Sequence, residues 1–427
     1  MSEEGTTGDT VPPASAIVTS ADVAAAHDYL ADVVHRTPLD GSTTLANRSG
    51  AARVDLKLEN MQRTGSFKIR GAYNAMAQLP DDVCERGVVA SSAGNHAQGV
   101  ALAGQLLDIE TTIVVPEITP AAKIAATRGY GAEVVVEGEM YEQSYEYALD
   151  LAENEGLEFV HPFDDDAVIA GQGTVGREIV DEAPDLDTVL VSIGGGGLIS
   201  GIATVLKAHD SDVRVVGVQP EGAAHAKPSL ESDEIHMLSE VDTVAEGIAD
   251  ARLLEKTFAV VRERVDNVVS VSDRDLAVAT AVLAERAKTV AETAGAAPVA
   301  ALLSGAVDVD GEHVAAVVSG GNVNLTEHGD LTRVGLEAMD RYVHARLELD
   351  GWPTALGDVA ETVEATGGEL DVAERARPTA ADHPNRVPVE VGIAGSSADH
   401  LATVVSSLDD IDGVRVVEHS LDADRVS

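Results

Sequence analysis

Lysine is scarce in this chain of 427 residues, occurring only at Lys57, Lys68, Lys123, Lys207, Lys227, Lys256 and Lys288. With 29 basic against 73 acidic residues, the formal net charge is −44. No basic stripe exists to displace the counterions of a nucleic acid, which excludes nucleic-acid binding as the function. The acids are spread along the whole length, which argues for a solvated surface and not for a patch that docks a cationic partner. A single cysteine, Cys84 in "DDVCERG", excludes an intrachain disulfide and reads as a small, semi-buried side chain. The 13 histidines show no HExxH or other paired-ligand spacing, so no zinc site is expected. No run approaches the roughly 18 apolar residues that span a bilayer. The opening "MSEEGTTGDTVPPASA" lacks the basic and apolar segments of a secretory signal. These absences lead to the expectation of a cytoplasmic enzyme or binding protein with a disordered acidic tail over residues 1–20.

What is present is patterned. Hydrophobic residues make up 44% of the chain, enough for a sizeable core in two or three domains. Excess Asp and Glu with little Lys resembles proteins adapted to high cytoplasmic salt, where screening relieves self-repulsion. Short β-branched runs, "GVVASS" (87–92), "TTIVVP" (111–116), "EVVVEG" (133–138), "TVLVSI" (188–193) and "RVVGVQ" (214–219), alternate with helical patterns at 97–107, 120–129, 141–156 and 198–209. Such alternation predicts open parallel sheets covered by helices, an α/β fold. A further helix is expected over 275–292 and a last strand in "HVAAVVSGGN" (313–322). After about residue 335 the order becomes βαββαβ, which predicts a separate ferredoxin-like domain over 336–427.

Three strand ends carry polar turns. "SIGGGGLISG" (192–201) lets consecutive backbone N–H groups converge on an anion at a helix start. It is neither the GxGxxG of a dinucleotide site nor a P-loop, which would need Lys-Ser/Thr. "SSAGNHAQG" (91–99) places Ser91, Ser92, Asn95 and His96 in the same kind of turn, suited to a carboxylate or a polar ring substituent. "VVSGGN" (317–322) ends its strand with a hydroxyl and an amide. Ligands of open α/β sheets sit beyond the carboxyl ends of the strands. With Lys68 at an expected helix start in "TGSFKIRGA", these ends supply the parts of a pyridoxal phosphate site. The helix dipole there is expected to lower the pKa of the lysine amine.

The stretches "HRTPLDGS", "TGSFKIRGAYNAM", "SSAGNHAQGVALA", "ATRGYGAEVVVEG", "FVHPFDD", "VIAGQGTVGREI", "GGGGLISGIA" and "VVSGGN" occur in one order. Together they make residues 20–427 resemble the threonine ammonia-lyases (threonine dehydratases) of the fold-type II pyridoxal phosphate family. The resemblance implies a tryptophan synthase β-like catalytic domain over 21–335, with a smaller subdomain at about 80–164 inserted in the larger. The C-terminal module is similar to an ACT regulatory domain.

By that resemblance, Lys68 is the Schiff-base lysine and the base for the Cα proton, and Phe67 packs on the cofactor ring. Asn95 meets the ring oxygen and Ser319 the ring nitrogen. Gly194, Gly195, Gly196, Gly197 and Leu198 hold the phosphate through their amides, and Gly247 approaches the ring by its backbone. Ser92 and His96 belong to the loop that takes the substrate carboxylate. The implied reaction deaminates L-threonine to 2-oxobutanoate and ammonia, and L-serine to pyruvate, in isoleucine biosynthesis or threonine catabolism. A racemase, a β-replacement synthase and a catalytically dead amino-acid sensor are the alternatives. Ala93 stands where the racemase branch carries a serine, which disfavours racemisation. Gln219 and His225 replace expected acidic ligands, so no divalent metal is expected, although backbone carbonyls remain available to a monovalent cation. Glu292 is kept, but Thr293 follows it where Gly or Pro is usual. An amino-acid effector such as isoleucine at the turn "LDGWPTAL" (349–356) and a homo-oligomer, dimer or tetramer, complete the expectations. Trp352 in that turn has three roles open to it: plugging the effector site, lining it, or packing a dimer face.

Overall fold

The computed structural model describes residues 11–380 and 382–421. The chain forms two compact units that divide between Asn324 and Leu325. The division falls ahead of the expected boundary at 335, because the helix Leu325–Ala338 goes with the C-terminal unit. Order also begins earlier than expected. Ala14 and Val18 are fully buried, and the Ala14 N–H donates to Glu263 Oε2 at 3.0 Å, so residues 11–20 are not a loose tail. The remainder of that predicted tail lies outside the described residues.

The first unit contains two parallel sheets. The larger runs in the order β1 (Leu39–Gly41), β2 (Arg53–Leu58), β10 (His313–Val318), β7 (Thr188–Ser192), β8 (Arg214–Pro220), β9 (Asn267–Val271). Only β1 is antiparallel to its neighbour. The smaller sheet comprises β3 (Val88–Ser91), β4 (Thr111–Val115), β5 (Glu133–Val136) and β6 (Glu158–Phe159), ordered β5-β4-β3-β6 and wholly parallel. These strands lie between β2 and β7 in sequence, so the smaller sheet is an insertion in the larger. Every residue of β7 and β10 is buried, as expected of strands covered by helices on both faces. β1, β2, β6 and β9 lie outside the expected strands: β1 and β6 are too short to show a period, whereas β2 alternates polar with apolar residues and β9 is a β-branched run. The helix expected over 275–292 ends sooner. It runs from Asp273 to Val282, passes through a π turn at Leu283–Ala287, and stops at Lys288 with positive φ.

One helix, Asp166–Glu182, organises the first unit. Its glycines let two neighbours approach backbone to backbone. A Cβ on Gly171 would lie 2.5 Å from Arg70 O, and a Cβ on Gly201 would lie 2.4 Å from both Gly173 N and Ile169 O. The helices Lys68–Met76 and Gly197–His209 are therefore seated on the same helix.

A buried ion network reinforces this seat. Arg70 reaches Glu59 Oε1 at 2.8 Å and Glu178 Oε1 at 2.7 Å, while Lys57 Nζ donates to Glu178 Oε2 at 2.6 Å and Thr37 O at 2.7 Å. Two cations face two carboxylates, all nearly inaccessible to solvent. Burial of charge is tolerated only when it is paired and hydrogen-bonded like this.

The C-terminal unit has the order β11 (Tyr342–Leu349), helix Thr354–Ala365, β12 (Glu369–Arg375), β13 (Val387–Ala394), helix Ala398–Asp409, β14 (Val414–His419). Its antiparallel sheet is ordered β12-β13-β11-β14, and the inward residues Val359, Val363, Leu401, Val404 and Leu408 close its core. This is the βαββαβ arrangement read from the alternation of periods.

Candidate active site

The site lies where β7, β10 and β3 end and four helices begin. Lys68 opens its helix and Phe67 occupies the N-cap position. The Phe67 N–H donates to Ser319 O at 3.2 Å, and Ser66 bridges to Gly320, so this turn is laid along the end of β10. Gly65 has φ +72, and a Cβ there would stand 2.4 Å from Asn322 Oδ1, so this turn requires glycine twice over. Gly99 lets the helix Asn95–Leu107 approach, since a Cβ on it would lie 3.0 Å from the Lys68 carbonyl carbon.

The Lys68 amine donates to Pro162 O at 2.9 Å and stands 5.2 Å from the centre of the Phe67 ring. Burial lowers its pKa to about 8, against the opposing pull of the Asp250 and Glu292 carboxylates. Burial is thus the main cause, where the sequence suggested the helix dipole. Glu292 precedes the helix Thr293–Ser304 and accepts from Asn95 Nδ2 at 2.8 Å. Burial raises its carboxyl pKa to about 7, although the Asn95 hydrogen bond acts the other way. Asn322 Nδ2 donates to Asn95 Oδ1 at 2.8 Å and to Thr64 O at 2.6 Å, so the Asn95 amide is held from both sides.

The structure brings Phe67, Lys68, Asn95 and Ser319 into one linked set. Gly247 joins it through Glu292, whose Oε1 lies 3.3 Å from where a Cβ on Gly247 would be. Ser92 lies in the loop after β3, its Oγ accepting from the Gly94 N–H at 3.2 Å. The His96 ring is turned inward, its Nε2 at 2.9 Å from Val160 O. Burial, helped by the Lys68 charge, drops its pKa to about 3, so the ring is neutral.

Gly194, Gly195, Gly196, Gly197 and Leu198 link β7 to the helix Gly197–His209 and are all buried. The Phe163 ring packs on this loop, 2.3 Å from where a Cβ on Gly195 would be. Gln219 and His225, near the expected cation position, instead bond each other at 3.0 Å, and Gln219 Oε1 accepts from the Ala226 N–H at 2.8 Å.

Sequence reasoning gave no role to Asp250, Asn322, Pro162 or Phe163. The last two lie in "FVHPFDD", a block that marked the resemblance. Asn322 ends the block "VVSGGN". Asp250 carried no signal, for only the folded chain brings it to the glycine loop.

These residues fit pyridoxal phosphate. The helix Gly197–His209 starts in the interior, and its N-cap residue, Gly196, has no side chain with which to cap it. Buried helix N–H groups demand an acceptor, and a phosphate is the natural one. A buried amine with a lowered pKa stands ready for a carbonyl. Fold and site together define a cofactor-dependent enzyme built on two parallel sheets.

Comparison with known proteins makes this specific: residues 30–320 match the pyridoxal-phosphate dependent enzyme family, and the chain belongs to it. It is 44% identical over 354 residues to an L-threonine ammonia-lyase of Thermotoga maritima, covering 83% of this chain and 88% of that protein. It is 40% identical over 384 residues to an L-threonine ammonia-lyase of Geobacter sulfurreducens, covering 90% of this chain and 95% of that one. The structure is also similar to that of maize serine racemase, with a TM-score of 0.71 and 34% identity, covering 75% of this chain and 98% of the other.

Proposed function

We propose that this chain deaminates L-threonine to 2-oxobutanoate and ammonia by β-elimination, and L-serine to pyruvate in the same site. The observation that carries the reading is its 40–44% identity to L-threonine ammonia-lyases over most of its length. Pyridoxal phosphate, when bound, supplies the electron sink that acidifies the substrate Cα proton. The amides of Gly194–Leu198 would hold its phosphate, Phe67 its ring face, Asn95 its ring oxygen and Ser319 its ring nitrogen, with the Gly247 backbone beside the ring.

Lys68 takes the Cα proton, and its lowered pKa keeps part of the amine unprotonated at neutral pH. Ser92 and the amides of its loop orient the substrate carboxylate, with the neutral His96 ring supporting the loop from inside. A hydroxyl at Ser319 cannot keep a ring nitrogen protonated as a carboxylate would. That favours prompt loss of a β-hydroxyl over transamination.

Similarity to a serine racemase supports racemisation as a second reading. Ala93 weighs against it, because a methyl group cannot exchange a proton on the opposite face. One incubation with L-threonine and L-serine in high KCl decides between them by measuring 2-oxo acid and D-amino acid together. Abundant oxo acid with little D-product is expected; the reverse would overturn the lyase reading.

The βαββαβ unit is proposed as an ACT-like regulatory domain taking a branched-chain amino acid near Gly351–Pro353, before the helix Thr354–Ala365. Such control suits an enzyme of isoleucine biosynthesis in a cytoplasmic homo-oligomer. Kinetics unchanged by isoleucine and valine would remove the effector.

A further inference from the structure

A carboxylate stands at the loop to which the phosphate is assigned. Asp250 follows the turn Glu246–Ile248, and its Oδ2 lies 2.5 Å from where a Cβ on Gly194 would be. It faces the Gly195 amide, and its charged or titratable neighbours include Lys68, across the site, and Tyr141, at the start of the helix Tyr141–Glu155. Two of the five loop residues thus already face a carboxyl group of the protein's own chain, whose pKa burial raises while the Lys68 charge and the Gly195 amide act the other way. Gly194 admits that group by having no side chain.

We propose that the Asp250 carboxylate competes with the cofactor phosphate for the glycine loop and thereby sets how tightly the enzyme retains pyridoxal phosphate. In the cofactor-free enzyme, Asp250 supplies the negative charge that the Gly195 amide and the Lys68 ammonium both attract. A bound phosphate brings up to two negative charges to the same amides. Like charges a few ångströms apart in a partly desolvated site disfavour one another strongly. Asp250 must then turn away or take a proton, and either response weakens phosphate binding. The wild-type enzyme therefore holds its cofactor less firmly than the loop alone would allow.

The inference rests on Gly194–Leu198 being the phosphate site, and one experiment separates the two claims. Pyridoxal 5′-phosphate and pyridoxal, which lacks the phosphate, are titrated into cofactor-free full-length enzyme in high KCl, as wild type and as Asp250→Asn. Binding is read from the visible absorbance of the bound ring. The Asn variant is expected to prefer pyridoxal phosphate over pyridoxal about tenfold more than wild type does, the effect of one repulsive charge pair in a partly screened site, because any change in the Lys68 amine that Asp250 also influences acts on both ligands alike. An unchanged or smaller preference for the phosphate ester in the variant, with the wild type still preferring that ester, would overturn the role of Asp250. Equal binding of the two ligands by wild type would instead sink the glycine-loop assignment, and the Asp250 inference with it. Asp250→Ser and Asp250→Ala carry the same expectation, so the result does not depend on one replacement folding, which circular dichroism checks.

Discussion

Lys68 shows how burial makes a common side chain reactive. With the pKa lowered from 10.5 to about 8, roughly one amine in ten is unprotonated at pH 7, against fewer than one in a thousand for an exposed lysine. Capture of pyridoxal by the cofactor-free enzyme should therefore accelerate with pH and level off above about 8, which stopped-flow absorbance would detect. Glu292→Gln should move that inflection lower, because the Glu292 charge helps to hold the proton on Lys68.

The same shift has a stability consequence. Between about 8 and 10.5 the unfolded chain binds the Lys68 proton and the folded chain does not, so this group makes stability rise with pH there. Below about 8 both states are protonated and the penalty of burying the ammonium is borne in full. Borohydride reduction of the holoenzyme should fix the cofactor on Lys68 in a peptide map. A label on Lys57 or Lys123 would contradict the site assignment.

At the scale of elements, the helix Asp166–Glu182 matters most although it contributes no group to the chemistry. It seats the Lys68 helix through Gly171 and the glycine-loop helix through Gly173. Gly201→Ala has no room, for its new methyl would meet backbone and not a flexible side chain. A loss of about 1–3 kcal/mol or more is expected in urea denaturation, with weakened cofactor binding because the loop moves with its helix. Glu178→Ala should cost about 3–5 kcal/mol, since Arg70 and Lys57 would be left buried with one carboxylate between them. A loss within about 0.5 kcal/mol, the range of ordinary surface substitutions, would show that water reaches this network.

The whole molecule is dominated by its charge of −44. Buried ion pairs such as Arg70–Glu59 are insulated from salt, while the exposed acids repel one another through water. Added KCl should accordingly raise the melting temperature of the full-length protein. A melting curve indifferent to KCl would remove the high-salt reading of the composition. No helix among the described residues is long and apolar enough to cross a bilayer.

The sequence by itself determined the periodic elements: the buried strands β3, β4, β7, β8 and β10 and the amphipathic helices between them, because local patterning specifies these without tertiary help. It also offered the candidates Lys68, Asn95, Gly194–Gly197 and Ser319, because three polar strand ends taken together, and the family resemblance they carry, point to one ligand where each turn alone has ordinary uses. Short strands such as β6 were invisible, since two residues cannot express a period. Whether a helix carries glycine for close packing, as at Gly171 and Gly173, could not be read from the helix alone, for the reason lies in the backbone it meets. Asp250 belongs to this second kind, and Glu292, although the resemblance marked its position, had partners that the sequence did not name. Each is an ordinary acid in its local segment, and only the folded chain sets one against the glycine loop and the other between Asn95 and Gly320. Burial and proximity to Lys68 are properties of three-dimensional arrangement, so the electrostatics of the site were decided by the tertiary structure.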